Sequence, residues 1–235
     1  MLEFANKINN NKMNKSDVFF TPFKGEKYEE GICGKKVLVI GASFYCNRTD
    51  CKYYNDCTDT KKKDSSQYDK QCPYNDGQPL SAEPSLAVEW DLRTYINFAD
   101  SIKDFCGTSR DEIWQYVAFT NYVQYMLGAN SNYRPTYKSD LTERDYRAFN
   151  ETLISLKPDI VIIWGCVINS RLKEQNEYIV GKNRLEETDY YVCEIKLPQM
   201  NKKVTIINPY HPSINTYWTP NVEEFKEYLK IELNK

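Results

Sequence analysis

Four short runs of apolar residues stand out along an otherwise polar chain, at 37–40, 117–119, 160–164 and 204–207. The first and third runs are continuously apolar and rich in β-branched residues. This pattern is typical of strands covered on both faces, as in a parallel sheet. We therefore predict a β-strand at each of the four runs.

Amphipathic segments lie between and after these runs. Apolar residues recur at helical spacing in 86–102 and 143–156, and 221–233 has the pattern of a closing amphipathic helix. Thr142 and Asp145 are spaced as a capping box, and Pro158 ends that helix before the third strand. Strands that alternate with helices predict an α/β fold with a mainly parallel sheet. A further strand or hairpin is expected around residues 190–197.

The rest of the chain divides into a leader and one domain. Residues 1–17 are polar and rich in Asn and Lys, which predicts a flexible leader before a single domain at 18–235. Within this domain, residues 46–80 are polar, rich in Cys and without periodicity. A connection of that length in a compact domain is either functional or disordered.

Composition limits the cellular compartment and the partners that we expect for the protein. The chain has 235 residues, a formal charge of −2, one His and eight Cys. The apolar runs are far shorter than the ~18–20 residues of a membrane span, and the N-terminus lacks the apolar core of a signal peptide. We therefore expect a cytoplasmic protein without a membrane partner and with mostly reduced thiols. The charge gives no strong unspecific attraction to nucleic acid, although a local basic patch remains compatible with it.

Small and hydrogen-bonding residues follow each predicted strand. Ligands of open α/β sheets bind beyond the carboxyl ends of the strands, so these segments sample the expected site. They are Gly41-Ala-Ser-Phe-Tyr-Cys46, Thr120-Asn121-Tyr122, Trp164-Gly165-Cys166 and Asn208-Pro-Tyr-His-Pro-Ser213. The only His of the chain, His211, lies in the last of them.

These four segments resemble, in the same order, the motifs of the uracil-DNA glycosylase superfamily. The first resembles its Gly-Gln-Asp-Pro-Tyr-His-type loop, and Asn121 matches the Asn that reads the base. The string Ile162-Ile-Trp-Gly165 matches an apolar-apolar-Trp-Gly motif, and His211-Pro-Ser213 matches the His-Pro-Ser loop. The resemblance covers residues 36–218.

The resemblance implies a three-layer α/β/α fold with a four-stranded central sheet, and a monomer that acts on DNA, single- or double-stranded. Enzymes of this kind take a base out of the stack and hydrolyse its N-glycosidic bond. His211 would stabilise the charge on the departing base, Asn121 would read its edge, and Phe44 or Tyr45 would stack on it.

The resemblance also implies roles for residues in the first and fourth of these segments. Gly41 and Ala42 would let the base approach the backbone. Pro212 and Ser213 would press on the DNA backbone. The base itself, uracil-like, damaged or modified, stays undetermined, as does the choice between repair and defence against foreign DNA.

The chain departs from the superfamily pattern at three places. Ser43 stands where the family has the Asp that orients water; a hydroxyl positions water but does not stabilise a cation as a carboxylate does. Cys46 replaces the His that ends the same motif. The apolar wedge of the family falls near Ile214. These departures put uracil specificity and a high rate in doubt.

Cys46, Cys51, Cys57 and Cys72 lie together in the polar segment. Four thiols can form a closed tetrahedral zinc site that orders a loop, and an iron–sulfur cluster is a second option. The spacing lacks the C-x2-C pairs of common zinc ribbons, so four unrelated thiols are an equal alternative. The other cysteines, expected to pack as small hydrophobes, are Cys33, Cys106, Cys166 and Cys193.

Two other classes of function remain open from the sequence. The missing carboxylate favours a non-catalytic protein that binds a base, a nucleotide or nucleic acid in the same pocket. A dyad of Ser43 and His211 across the crevice would instead serve a small-molecule hydrolase.

Overall fold

A computed structural model of the chain describes residues 16–46, 49–59, 91–128, 135–174, 178–184 and 191–235. Its strands are β1 (Phe23–Lys24), β2 (Val37–Gly41), β3 (Phe44–Cys46), β4 (Val117–Asn121), β5 (Met126–Gly128), β6 (Ile160–Ile163), β7 (Ile179–Arg184), β8 (Tyr191–Ile195) and β9 (Val204–Asn208). Its α-helices are α1 (Tyr54–Cys57), α2 (Arg93–Ile102), α3 (Glu143–Leu156), α4 (Cys166–Glu174) and α5 (Asn215–Leu233). Short 3-10 helices span Lys103–Phe105, Glu112–Tyr116 and Lys138–Asp140.

The four predicted strands form the parallel centre of one sheet, in the order β4-β2-β6-β9. All residues of β2, β4 and β6 are buried, in agreement with the continuous apolar runs at β2 and β6. The α/β class and the mainly parallel sheet are confirmed.

The sheet is wider than the four strands expected. Six strands of four to six residues build it, and the two-residue β1 extends one edge. The added strands β8 and β7 pair antiparallel beyond β9, which confirms the strand or hairpin expected around 190–197. The expected count fell short because β7, with the sequence IVGKNR, lacks the apolar run of a doubly covered strand. Strands β3 and β5 form a separate parallel pair.

Alternate residues of the central strands contribute to two different buried clusters, one on each face of the sheet. Leu38 and Ile40 pack in a cluster with residues of α3 and α4. Val37 and Val39 pack in a second cluster with residues of α2 and α5. Each of the two clusters therefore contains residues of the sheet and of helices.

The predicted helices agree with the structure to different degrees. Helix α3 has the predicted bounds, and the Thr142–Asp145 capping box is present. Helix α2 begins at Arg93 rather than 86: Asp91 has a left-handed φ of 55°, and Leu92 is an extended N-cap. Residues 60–90 lie outside the described ranges.

Helix α5 begins at Asn215, six residues before the predicted start at 221. The predicted start came directly after Pro220, but this proline lies inside the helix. A proline there removes one N–H, and the carbonyl of Thr216 loses its helical partner. The buried residues Phe225, Leu229 and Leu233 all follow this proline, and the segment before it buries Trp218.

Two residues of the expected leader, Ser16 and Asp17, contact helix α3. Ser16 Oγ donates to Glu151 of α3, and Asp17 forms an ion pair of 2.6 Å with Arg147 of the same helix. The rest of the expected leader, residues 1–15, lies outside the described ranges.

Asp145 joins the start of α3 to the segment that follows β4. Its fully buried carboxylate accepts from the backbone N–H of Thr142 at 2.7 Å and of Gln124 at 2.7 Å. Burial raises the pKa of Asp145 to about 6. The carboxylate thus satisfies two backbone donors of neighbouring elements at the cost of its own desolvation.

Two of the four cysteines expected in apolar surroundings are placed differently. Cys193 is buried, and Cys106 packs partly buried against the core. The expectation is wrong for Cys33 and Cys166, which are exposed. Cys33 lies in a turn before β2 with a positive φ, and its Sγ contacts the Phe105 carbonyl at 3.6 Å, whereas Cys166 is the first residue of α4.

Among the described helices, none combines the length and the apolar character needed to cross a bilayer.

Substitution Asp145→Ala is expected to lower the free energy of unfolding by about 2–4 kcal/mol, because two buried backbone N–H groups lose their acceptor. Urea unfolding of the full chain measures it. The control is Glu223→Ala, an exposed carboxylate on α5, which is expected to stay within ~0.5 kcal/mol of wild type. Equal losses in the two variants would contradict the bridging role of Asp145.

Candidate functional site

The four segments singled out in the sequence lie at one edge of the sheet. The strands that precede them, β2, β4, β6 and β9, run parallel and in register. Their carboxyl ends therefore meet, as expected for the ligand edge of an open α/β sheet.

Gly41 and Asn121 face each other across the ends of β2 and β4. Their Cα atoms are register partners, and the Asn121 side chain is buried against Gly41. A Cβ atom at Gly41 would overlap Asn121 Oδ1 and come within 3.3 Å of the Phe119 ring. Glycine is thus required here by close approach, and the Asn121 amide occupies the space that a side chain would fill.

The Asn121 side chain makes no hydrogen bond to any residue in the described part of the chain. The residue is 4% exposed, and its amide atoms keep some contact with solvent. The backbone of Asn121 is nevertheless held: Gln124 Nε2 donates to its carbonyl at 2.8 Å, and Gln124 Oε1 accepts from the N–H groups of Phe19 and Phe20. The backbone is fixed while the amide stays available to a ligand.

An aromatic wall connects Asn121 to His211. We define it as Tyr95, Phe119 and Trp164, whose ring centroids lie 5.4 Å apart in all three pairs. The Trp164 ring meets the His211 ring edge-on at 6.2 Å. Because Phe119 also approaches Gly41, the wall continues from the end of β4 to the His211 loop.

Two polar atoms of this wall have no partner among the described residues. Trp164 Nε1 is a buried donor without an acceptor. The Tyr95 hydroxyl makes no hydrogen bond either, and burial raises its pKa to about 12, so the hydroxyl keeps its proton. The wall therefore combines apolar rings with hydrogen-bond donors that have no acceptor among the described residues.

His211 is fixed as one tautomer by its own loop. Its Nδ1 accepts from the backbone N–H of Ser213 at 3.3 Å and lies 2.8 Å from Ser213 Oγ. A backbone amide only donates, so Nδ1 carries no proton and the neutral ring carries it on Nε2. Burial lowers the pKa of His211 to about 4. Near neutral pH, His211 is therefore an uncharged Nε2–H donor.

Side chains from other elements hold the His211 loop. Asn97 of α2 donates to the carbonyl of Pro212 at 2.8 Å, and Asn208 donates to the carbonyl of Gly165 at 2.6 Å. Gly165 has a φ of 87° and passes against the His211 ring. A left-handed conformation at this contact favours glycine.

The residues that follow β2 contact Thr136, Phe20 and core residues. Ser43 Oγ lies 2.8 Å from Thr136 Oγ1, the Phe44 ring packs on Phe20 with centroids 4.3 Å apart, and Tyr45 packs against the core cluster that contains α3. The Ala42 carbonyl accepts from the N–H of Val123 at 3.0 Å. The structure thus brings together Gly41 with Asn121, and His211 with Ser213. The hydrogen bonds of Ser43 and His211 go to different partners.

Two of the four cysteines of the predicted metal site have side chains within the residues that the structure describes. Cys46 and Cys51 are half-buried free thiols. The side chain of Cys57, at the end of α1, and the whole of Cys72 lie outside the described residues. Within the described ranges no group of three or more metal-binding side chains occurs. Zinc or iron–sulfur binding stays a prediction.

Several residues of the site were not singled out by sequence analysis. Tyr95 and Asn97 lie on a helix and showed only helical periodicity, and Thr136 reaches Ser43 from 93 positions away. Their contacts join distant segments and leave no local pattern. Asn208, in contrast, lies in the segment that follows the fourth apolar run. This position was the signal in the sequence that could have identified it.

No protein-family model matches the chain, and no curated protein matches it at a significant level.

Substitution Gly41→Ala is expected to lower the free energy of unfolding by about 1–3 kcal/mol, because the new methyl group overlaps the Asn121 amide. Asn121→Ala removes that group, so the double variant should recover part of the loss. Urea unfolding of the three variants gives the coupling free energy. Strictly additive losses would show that Asn121 does not lie over Gly41.

The imidazole of His211 is expected to titrate near pH 4, well below the ~6.5 of an unperturbed His. With one His in the chain, 15N-detected imidazole resonances report on this residue alone. They should show the Nε2–H tautomer from pH 8 to 5.

The effect on stability has a definite sign. The unfolded chain takes up the proton at a higher pH than the native one, so this group lowers native stability as the pH falls from about 6.5 to 4. A His211→Asn variant should lose less stability over that interval. A titration midpoint above 6.5 would contradict the buried, neutral state.

Proposed function

We propose that this protein is a DNA N-glycosylase related to the uracil-DNA glycosylases, with a three-layer α/β/α domain. It would hydrolyse the N-glycosidic bond of a uracil-like, damaged or modified base that has been flipped into the crevice at the strand ends. The observation that carries the proposal is a pair of groups at the two ends of the aromatic wall. They are the neutral, Nε2-protonated His211 and the Asn121 amide, which has no hydrogen-bond partner among the described residues.

In this proposal His211 stabilises the leaving base. Cleavage of the bond gives an oxocarbenium-like sugar and a base that departs as an anion. A donor that is already oriented stabilises that charge without reorganisation at the moment of reaction. The bond from the Ser213 N–H to Nδ1 and the edge of Trp164 supply this orientation.

Asn121 reads the base. An amide has both a donor and an acceptor, which suits the edge of a pyrimidine with its carbonyl oxygen and ring N–H. A matching base forms hydrogen bonds with the amide, whereas a base with the opposite pattern leaves the amide unpaired in the complex. Selectivity then comes from the cost of that mismatch in the complex.

Ser43 takes part as a water-positioning group. Its bond to Thr136 fixes the hydroxyl oxygen, so a water molecule could be held at the first strand exit. Two carboxylates that follow Thr136 in the chain do not replace the missing Asp. Asp140 and Asp145 accept backbone N–H groups at their own helix starts. Without a carboxylate to stabilise the oxocarbenium ion, we expect slow turnover.

The same observation favours a second candidate, a non-catalytic protein that binds a base in an unpaired or flipped position. The pocket would keep Asn121 and His211 for recognition, and the Ser43–Thr136 pair would be structural. The hydrolase alternative has less support, because the hydrogen bond of Ser43 goes to Thr136 and that of His211 Nδ1 goes to Ser213.

Oligonucleotides with uracil, mismatched thymine or modified pyrimidines, incubated with the full chain, are expected to yield abasic sites for at least one of these bases. His211→Ala should lower the single-turnover rate by about 100- to 1,000-fold, the loss typical of one preorganised donor. Asn121→Ala should weaken discrimination between bases. Alkaline cleavage followed by gel electrophoresis measures the product.

The matched control is Asn234→Ala, which removes an exposed amide at the far end of α5 and should leave the rate unchanged. Absence of abasic product on every substrate would overturn the glycosylase proposal. Retained binding that depends on Asn121 would then support the second candidate.

A further inference from the structure

Two exposed apolar side chains follow His211 in the chain. Among the described residues, five large hydrophobic side chains are exposed. Ile214 and Tyr217 lie three and six residues after His211, and the other three are Leu92, Tyr137 and Ile231. Exposed apolar side chains next to a candidate functional loop are typical of a contact surface.

Two tyrosines of this surface form a stacked pair. The rings of Tyr210 and Tyr217 lie 5.4 Å apart with an interplanar angle of 22°, an offset-stacked geometry. We call this pair the tyrosine platform. Tyr210 is half-buried and packs against the core, whereas Tyr217 is 55% exposed. The inner ring thus holds the outer ring in a fixed plane, and the outer ring presents an aromatic surface to solvent.

The chain around the platform suits a polyanion. Residues 203–222 contain no Asp or Glu, although the whole chain has 33 acidic residues. A phosphate backbone that passes over this segment therefore meets no carboxylate of that segment, and it meets polar side chains such as Ser213, Asn215 and Thr216.

We propose that the tyrosine platform stacks an unpaired base of single-stranded nucleic acid, next to the base held in the crevice. This inference rests on the proposed function and adds the strand state of its substrate. The platform is one residue before His211 and six residues after it, so the stacked base and the base in the crevice would be close neighbours on one strand.

The geometry favours a single strand over a duplex. A flat aromatic ring stacks on a base only where the base has an open face, and in a duplex both faces are covered by neighbouring base pairs. A pre-stacked aromatic pair extends a run of unpaired bases at little entropic cost, because its rings are already ordered. Stacking is also tolerant of sequence, which fits recognition of the base by the crevice and of the strand by the platform.

Binding of a fluorescein-labelled 15-mer of thymidine by the full chain tests the inference, with fluorescence anisotropy as the readout. The comparison ligands are the same strand paired with its complement and a uridine 15-mer, which separates DNA from RNA. We expect affinity for the single strand at least about tenfold higher than for the duplex. Tyr217→Ala should lower single-strand affinity by about tenfold, within the range for one base–aromatic stack, and Tyr217→Trp should retain it.

The matched control is Ile231→Ala, which truncates a side chain of similar exposure (56%) on the same helix and should bind as wild type. Equal affinity for single strand and duplex, or equal loss in Tyr217→Ala and Ile231→Ala, would overturn the inference. The glycosylase assay is separate: base excision with unaltered binding by Tyr217→Ala rejects the platform alone. Platform-dependent binding without excision rejects the glycosylase activity alone.

Discussion

Strand β2 is hydrogen-bonded to a parallel partner on each side, and its last residue, Gly41, comes into register with Asn121 at the end of β4. This register determines which residues reach the ligand edge of the sheet. A shift by one residue would turn Asn121 to the opposite face, away from Phe119 and the His211 loop. The close packing on both faces of β2, where every residue is buried, makes such a shift costly. The position of the recognition amide is thus a consequence of core packing.

The crevice contains groups that the protein alone does not satisfy. Trp164 Nε1 is buried without a partner among the described residues, and burial keeps His211 neutral. The first costs stability in the unbound chain, and the second does so below about pH 6.5. The Trp164 and His211 rings lie 6.2 Å apart at one end of the aromatic wall. The buried Asp145 carboxylate, by contrast, has its hydrogen bonds formed.

The sequence was most informative where a pattern is local. Continuous apolar runs predicted the four parallel strands, and the capping box predicted α3 to the residue. The ends of these strands then pointed to Gly41, Asn121 and His211. Strand β7 was not predicted because an edge strand needs no apolar run.

Contacts between distant segments could not be predicted in this way. The Ser43–Thr136 bond and the bond from Asn97 to Pro212 depend on how loops and helices meet. The tautomer of His211 followed only from the geometry of its loop. The stacking partner of Tyr217 likewise required the fold, since Tyr210 lies seven residues earlier, across the loop.

Pro220 separates two parts of α5 that differ in how much of their surface is buried. The turn before it carries exposed Tyr217 beside the crevice, while the turns after it bury Phe225 and Leu229 in the core. Exposed positions of the first turn can therefore change with little effect on packing, whereas the buried positions Trp218, Phe225 and Leu229 cannot. Substitutions that change the ligand preference and substitutions that disturb folding therefore fall at different positions of this helix.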